Sequence, residues 1–186
     1  MQKQNKKKYS EILIDLPLVN QKTDTEDQKW AGKTCGICSI KMLLGDLNPK
    51  LQKLKIMSLV RKGLQKDGYV EKIGWKHSVL VDLAGDYGVK MNYQKKFLKK
   101  ADERKRGMVF IERNIRNKKP VIVSVGYDFN PLRGGHLVVV RGFRNVGNRV
   151  LGYYIQDPYP LRRGNNYFVT KKEFLKGWRG GLIWIE

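Results

Sequence analysis

Both cysteines of this chain lie in one stretch, Thr34-Cys35-Gly36-Ile37-Cys38-Ser39-Ile40-Lys41-Met42-Leu43-Leu44. Within it, the apolar residues Ile37, Ile40 and Leu44 recur at the spacing of one face of an α-helix. Gly45 follows directly, and a glycine is a common signal for the end of a helix. The stretch therefore predicts an amphipathic helix that begins close to the first cysteine and ends near Gly45.

Cys35 stands at the first turn of that predicted helix. The first amide groups of a helix have no partner within the helix, and the helix dipole favours negative charge there. Such a position lowers the pKa of a thiol towards the reactive thiolate. Cys35 is therefore the candidate nucleophile, whereas Cys38, one turn further along, is interpreted as a small buried apolar residue.

The composition is that of a globular protein with an unusual charge. The chain has 186 residues, 41% of them hydrophobic, which fits one domain with a substantial core. Its formal net charge is +21. The densest basic segment, residues 95–119, carries eleven Lys or Arg and three Asp or Glu, without the patterns of zinc-finger, K-homology or RNA-recognition domains. We therefore expect a solvated basic surface that binds nucleic acid only weakly and non-specifically.

The sequence predicts neither a membrane span nor a secretion signal. No stretch of 18 apolar residues is present. Residues 1–8 are basic, but the apolar residues that follow them are interrupted by Asp15 and Pro17. We divide the chain into a basic tail, residues 1–11, and one domain, residues 12–186. We expect a monomer, located in the cytoplasm unless a leader has been removed.

The two halves of the chain differ in pattern. The first half predicts a strand over residues 12–21, and helices over residues 51–64, from Ser78 to Tyr87, and through Met108, Ile111 and Ile115 up to Pro120. The second half predicts strands over residues 121–125, 137–140, 150–155 and 182–185, with a short helix capped by Thr170 and Glu173. A helical half followed by a strand-rich half indicates an α+β fold with an antiparallel sheet.

Three residues are candidate partners for Cys35. His136 follows Gly134-Gly135 at the start of one predicted strand, and Asp157 lies just beyond the end of the next. Two antiparallel strands joined by a hairpin bring the start of one beside the end of the other, so the carboxylate can orient the imidazole. Gln21 precedes the cysteine helix and could donate a side-chain N–H to an oxyanion, alongside the backbone N–H of Cys35.

Four motifs together resemble a known family. They are Leu16-Pro17-Leu18-Val19-Asn20-Gln21, Cys35-Gly36, Gly135-His136-Leu137-Val138-Val139-Val140 and Tyr154-Ile155-Gln156-Asp157-Pro158. In this order they resemble the papain-like cysteine peptidases. The branch is the one typified by the double-glycine leader peptidases of bacteriocin exporters and their stand-alone relatives. The resemblance covers roughly residues 12–186.

The resemblance implies a Cys–His–Asp triad with a preceding oxyanion glutamine. Peptide bonds of a peptide or protein substrate would be hydrolysed through a thioester, without a cofactor or a metal. By position, Cys35 would be the nucleophile, His136 the general base, Asp157 the orienting acid and Gln21 the oxyanion donor. The sequence shows no attached transporter, and its glutamine lies further from the cysteine than in the exporter enzymes. Both departures suit the stand-alone relatives, and they leave double-glycine specificity open.

Gln28 is an alternative oxyanion donor. It lies nearer to Cys35, at close to the spacing of the exporter enzymes, in a charged run that begins at Thr23. An oxyanion donor must be held in position before the reaction. We expect Gln21 to be better anchored, because it is predicted to end a strand, whereas Gln28 is predicted to lie in a flexible rim.

Other functions remain open at this stage. Cys35-Gly36-Ile37-Cys38 has the C-x-x-C spacing of a thiol–disulfide oxidoreductase, although no βαβ unit precedes it. A zinc site from Cys35, Cys38, His77 and His136 has suitable ligand types, but its spacings are too long for a compact finger. A basic nucleic-acid or anionic-surface binding module with an inactive triad is a further alternative. Acyl transfer uses the same thiol chemistry as hydrolysis, and the sequence does not separate them.

Overall fold

The computed structural model describes residues 9–161 and 163–186, so residues 1–8 of the predicted tail lie outside it. The helices are α1 (Gln28–Ala31), α2 (Cys35–Leu47), α3 (Ile56–Gln65), α4 (His77–Gly85), α5 (Ala101–Arg116) and α6 (Lys171–Gly177), with short 3-10 turns at Pro49–Lys53 and Tyr127–Phe129. The strands are β1 (Ser10–Leu13), β2 (Tyr69–Val70), β3 (Gly74–Trp75), β4 (Met91–Tyr93), β5 (Val121–Gly126), β6 (Gly135–Val146), β7 (Arg149–Leu161), β8 (Gly164–Thr170) and β9 (Trp178–Ile185). None of the described helices is long and apolar enough to cross a bilayer.

One antiparallel sheet organises the domain. Its strands run in the order β4-β9-β5-β6-β7-β8, while β2 and β3 form a separate hairpin. β6 is long enough to pair with β5 along residues 135–140 and with β1 along residues 142–145, both on the edge opposite β7. All six residues of β5 are buried, so both faces of the sheet are covered at its centre. The predicted α+β fold with an antiparallel sheet is confirmed.

The first predicted strand is shorter than expected and starts earlier. Residues 10–13 pair with β6, and the chain then leaves the sheet, although Ile14 still donates its backbone N–H to the Arg141 carbonyl at 2.8 Å. Pro17 has no backbone N–H and does not extend a ladder. Leu16 and Val19 are nevertheless buried. The apolar pattern of residues 12–21 therefore reflects packing against the core rather than strand pairing.

The helix that carries Cys35 does not end at Gly45, as the sequence predicted. It continues to Leu47, and Gly45 is buried inside it. A Cβ atom at this position would lie 2.8 Å from Cγ of Gln52 and 3.1 Å from Cγ of Pro17. The glycine therefore permits close packing of neighbouring segments instead of marking a helix end.

The remaining differences concern short elements. Strands β2, β3, β4 and β8 were not predicted, and Leu51 belongs to the 3-10 turn that precedes α3. The helix expected from Ser78 spans His77–Gly85. The predicted cap of α6 is confirmed, because the Thr170 hydroxyl accepts the backbone N–H of Glu173 at 3.2 Å. These differences leave the order of the long elements unchanged.

Candidate active site

The N-terminus of α2 presents Cys35 to the sheet. The N-cap residue is Thr34, and its hydroxyl bonds to the Thr25 hydroxyl at 3.1 Å instead of capping the helix. The backbone N–H groups of Gly36 and Leu137 help to lower the pKa of the half-buried Cys35 thiol. The first turn of α2 and the start of β6 therefore both favour a negative charge on the sulfur.

Two contacts fix α2 against β6. The Ser39 hydroxyl, one turn after Cys35, donates to the Leu137 carbonyl at 3.2 Å. A Cβ atom at Gly36 would lie 2.9 Å from Cδ1 of Leu80 and 3.0 Å from Cδ1 of Leu137. The glycine beside the cysteine thus lets the helix approach the strand closely. Because Leu137 follows His136, this packing places the thiol next to the imidazole.

His136 and Asp157 form a buried pair. His136 Nε2 lies 2.7 Å from Asp157 Oδ1, and both residues are 5% exposed. β6 and β7 are antiparallel neighbours in which Val139 pairs with Gln156, so His136 and Asp157 fall near each other on adjacent strands. Nε2 faces the carboxylate, and His136 and Cys35 line the same cleft. The structure therefore brings the three predicted residues together.

Asp157 is surrounded by further donors. Its Oδ1 also accepts the backbone N–H of Tyr159 at 2.8 Å, and its Oδ2 accepts the Tyr167 hydroxyl at 2.8 Å. Asn165 donates its side-chain N–H to the Asp157 backbone carbonyl, also at 2.8 Å. A buried carboxylate remains charged only when it is paired and hydrogen-bonded. Sequence reasoning missed these partners, because β8, which holds Asn165 and Tyr167, was not predicted.

The electrostatics of the group favour a thiolate beside an imidazolium. Burial alone would raise the pKa of Cys35, but the hydrogen bond and charge of His136, with the backbone donors, lower it below its ordinary value. Burial alone would lower the pKa of His136, but the charge and hydrogen bond of Asp157, together with Cys35, raise it to about 10. The thiolate is therefore stabilised by His136 and the backbone donors, and the imidazolium by Asp157 and Cys35.

Cys38 and His77 lie in different surroundings. Cys38 is fully buried beneath the first turn, where burial raises the pKa of its thiol to about 12. Burial lowers the pKa of His77, whose ring stacks on Phe97 with centroids 5.5 Å apart. A C-x-x-C oxidoreductase needs its second thiol to be reactive, and the burial of Cys38 disfavours that alternative. The described residues contain no group of three or more His, Cys, Asp or Glu placed to hold a metal, so the zinc alternative gains no support among them.

An open cleft of about 380 Å³ lies at Cys35 and His136. Trp75, Tyr93 and Phe97 contribute aromatic surface to it, and the β2–β3 turn contributes Ile73, which is 79% exposed. The charged side chains that line it are Lys76, Lys95 and Arg179. The described lining residues include no Asp or Glu. The cleft therefore offers a mixed apolar and basic surface beside the thiol.

The structure anchors Gln21 but does not place it on the cleft wall. Its backbone N–H donates to the Pro158 carbonyl at 2.8 Å, and its side-chain Nε2 donates to the Ala31 carbonyl at 2.7 Å. Gln21 is 2% exposed. Its Oε1 is buried and accepts no hydrogen bond from the described residues. Gln28, by contrast, is exposed at the start of α1. Gln21 is thus the more firmly held of the two candidates, beside the segment that leads into α2.

A thiol at a helix start that faces a strand-borne imidazole and carboxylate defines the fold class of the papain-like cysteine peptidases. Residues 13–180 match the model of the Peptidase_C39 like family, and the chain belongs to that family. Comparison with curated proteins returned no match. The resemblance predicted from the four sequence motifs is confirmed.

Solved structures agree with this assignment. The chain is similar to a Bacillus anthracis protein assigned as a C39-like peptidase, with a TM-score of 0.67 and 16% identity over 95% of this chain and 98% of that one. It is similar to a double glycine motif protease from an AMS/PCAT transporter in complex with the leader peptide, with a TM-score of 0.55 and 16% identity over 93% of each chain. It is also similar to the peptidase domain of Streptococcus ComA, a bi-functional ABC transporter involved in quorum sensing, with a TM-score of 0.56 and 18% identity over 83% of this chain and 91% of that one. At such identities, these similarities establish the shared fold alone.

Proposed function

We propose that this protein is a cysteine peptidase that hydrolyses a peptide bond through a thioester on Cys35. The observation that carries the proposal is the buried His136–Asp157 pair, 2.7 Å apart, against a half-exposed thiol of lowered pKa. Membership of a peptidase family supports the same conclusion. A thiol is activated when a base lies beside it and a third group orients that base. Cys35, His136 and Asp157 are the three residues proposed for these roles.

Acylation begins from the thiolate–imidazolium pair. The Cys35 sulfur attacks the carbonyl carbon of the scissile bond, and the carbonyl π electrons move to its oxygen. When this tetrahedral intermediate collapses, the C–N bond breaks and the leaving nitrogen takes the proton from His136. The products of this half-reaction are a free amine and a thioester on Cys35, with neutral His136.

Deacylation uses the same residues in reverse roles. Neutral His136 takes a proton from water as the water oxygen attacks the thioester carbonyl. The C–S bond then breaks, which releases a carboxylic acid and restores the Cys35 thiolate beside the His136 imidazolium. Asp157 keeps its hydrogen bond to His136 Nε2 and fixes the orientation of the ring.

We assign the oxyanion site to the backbone N–H of Cys35 and the side chain of Gln21. The amide nitrogen of a glutamine carries two hydrogens, and the Ala31 carbonyl accepts one of those of Gln21. The second is the one assigned to the developing oxyanion, and because Gln21 is 2% exposed and off the cleft wall, this role requires its side chain to turn towards the cleft when substrate binds. The bond between the Gln21 backbone and the Pro158 carbonyl supports this role, because it ties Gln21 to the residue after Asp157.

We assign a peptide with acidic residues near the scissile bond as the substrate class. One structural neighbour is a protease in complex with a leader peptide, which supports a peptide as the ligand of this fold. The charge of the cleft supports the acidic character, since Lys76, Lys95 and Arg179 line it without a described carboxylate. The formal charge of +21 adds long-range attraction for an anionic chain.

The test is cleavage of a mixed peptide digest, read by mass spectrometry, with wild-type protein, Cys35→Ala and Cys38→Ala. We expect new peptide termini with the wild type and with Cys38→Ala, and none above background with Cys35→Ala. Loss of a nucleophile typically removes a thousandfold or more of activity. Cleavage that persists in Cys35→Ala, or a wild type that cleaves nothing under reducing conditions, contradicts the proposal.

A further inference from the structure

Strand β8 holds Asp157 at two points. Asn165 donates to its backbone carbonyl at 2.8 Å, and the Tyr167 hydroxyl donates to its Oδ2 at 2.8 Å. The regular pairing of β7 with β8 ends at Gln156, where the register shifts. Regular strand pairing therefore does not fix the position of Asp157. The side chains of Asn165 and Tyr167 hold it instead.

The register explains why Tyr167 reaches the carboxylate. Tyr167 pairs with Ile155, which lies two residues before Asp157 on β7. Residues diagonal to each other across two strands project from the same face and are within reach of a long aromatic side chain. Tyr167 therefore extends along the face on which Asp157 meets His136.

The two carboxylate oxygens have separate partners. Oδ1 faces His136 at 2.7 Å and the Tyr159 backbone N–H at 2.8 Å, whereas Oδ2 faces Tyr167. Without the phenol, Oδ2 would be a buried acceptor lacking this donor, and rotation of the carboxylate towards another donor would move Oδ1 away from His136. We propose that Tyr167 is a positioning residue, which holds the Asp157 carboxylate in the orientation that pairs it with His136. The effect of Tyr167 on turnover rests on the proposed function, whereas its effect on the Cys35 thiol does not.

The Tyr167 ring is itself fixed. Phe129 packs edge-on against it with centroids 6.4 Å apart, and the Arg163 guanidinium lies over the ring at 5.4 Å. Arg163 in turn pairs with Asp128 at 2.8 Å. Burial, followed by the charge of Asp157 and the hydrogen bond to it, raises the pKa of Tyr167. The phenol therefore keeps its proton and acts as a donor in a fixed direction.

The consequence reaches Cys35 through His136. His136 is faced by the Asp157 carboxylate, the Cys35 thiol and the ring of Tyr127, whose centroid is 5.4 Å away. Among these, Asp157 carries the charge that stabilises the imidazolium, and the imidazolium stabilises the thiolate. If the carboxylate turns away, the pKa of His136 falls and the pKa of Cys35 rises. The alkylation profile of Cys35 then moves to higher pH.

The test is Tyr167→Phe, with Tyr153→Phe as the matched control. Tyr153 lies on β7, is fully buried, and also donates its hydroxyl to a carboxylate, Glu112 Oε1 at 2.9 Å, but that carboxylate is not bonded to His136. Both variants remove one buried hydroxyl bonded to a carboxylate and keep the ring. The measurements are kcat, KM, thermal unfolding and the pH dependence of Cys35 alkylation by iodoacetamide.

We expect Tyr167→Phe to lower kcat about ten- to a hundredfold, as for loss of a hydrogen bond to a charged group, with KM little changed. We also expect it to move the alkylation midpoint of Cys35 to higher pH. Tyr153→Phe should leave both quantities at the wild-type level, even if its unfolding temperature falls. A Tyr167→Phe variant that matches Tyr153→Phe in kcat and in alkylation midpoint overturns the proposal. If wild-type protein cleaves no peptide, the proposed function fails, and the alkylation midpoint still decides the role of Tyr167.

Discussion

The two cysteines and the two histidines of this protein lie in two kinds of surroundings. Cys35 and His136 meet at the junction of α2 and β6, with Asp157 behind them, and the pKa of the thiol is lowered. Cys38, one turn deeper, has its pKa raised to about 12 by burial, and His77 stacks on Phe97 in the same cleft. Chemically identical side chains therefore differ in reactivity because of their neighbours.

The carboxylate accounts for most of this difference. Both histidines are removed from water, which by itself disfavours a charged imidazole and lowers its pKa, as it does for His77. At His136 burial is again the largest single effect, but the charge and hydrogen bond of Asp157 together with Cys35 outweigh it, so the imidazole is held protonated and can stabilise a thiolate. Burial lowers the pKa of both imidazoles, so burial does not explain why the pKa of His136 is raised. The position of one aspartate on the adjacent strand does.

Gln21 and Gln28 also differ in their surroundings, and substitution of Gln21 should have the largest effect on kcat among the variants compared. We expect Gln21→Ala to lower kcat about a hundredfold or more, as for removal of one oxyanion donor, and Gln28→Ala to change it little. The physical reason is anchoring, since Gln21 is buried and bonded at both its backbone and its side chain, whereas Gln28 is exposed. The measurement is kcat on a cleaved peptide, with the unfolding temperature recorded for each variant.

The unfolding temperature serves as the control for Gln21, because the residue is buried. A lower unfolding temperature with unchanged kcat assigns Gln21 a purely structural role. A loss of kcat in Gln28→Ala instead would move the oxyanion role to Gln28. Neither outcome alters the roles proposed for Cys35, His136 and Asp157.

The positions of Cys35, His136 and Asp157 in the fold can be predicted from the sequence. The helix spacing of Ile37, Ile40 and Leu44 places Cys35 at a helix start, and the apolar runs after His136 and before Asp157 place those residues on strands. Adjacent antiparallel strands then bring the imidazole and the carboxylate together. These features are local or depend on neighbouring elements, so pattern and order suffice to predict them.

Other features depend on packing that a pattern does not encode. The role of Gly45 within α2 is set by Gln52 and Pro17, which approach from separate segments. Tyr167 reaches Asp157 because it pairs with Ile155 and so lies diagonal to Asp157 across the two strands. Residues 167–170 form an aromatic and β-branched run that could have indicated β8. The hydrogen bond to Asp157 still depends on the register, which the sequence does not specify.

The positive charge of the cleft should have a smaller effect, which is a preference for acidic peptides. We expect a peptide with Glu near its cleaved bond to show a kcat/KM about three- to tenfold above that of its Gln counterpart, as for a few partly exposed ion pairs. The preference should shrink as salt is raised, because exposed charges are screened. Arg179→Gln should reduce it, since Arg179 lines the cleft beside His136. Equal rates for the Glu and Gln peptides at low salt contradict the acidic substrate class.

The most direct test of the central claim, that His136 activates Cys35 and not Cys38, is the pH profile of alkylation at each thiol, read by peptide mass spectrometry. In wild-type protein near pH 6, we expect iodoacetamide to modify Cys35 much faster than Cys38, with a midpoint for Cys35 below the ordinary thiol value of about 8.5. His136→Ala should move that midpoint up into the ordinary range, because the imidazolium is lost, whereas His77→Ala should leave it in place. Equal modification of the two cysteines, or a Cys35 profile that His136→Ala does not move, would contradict the account.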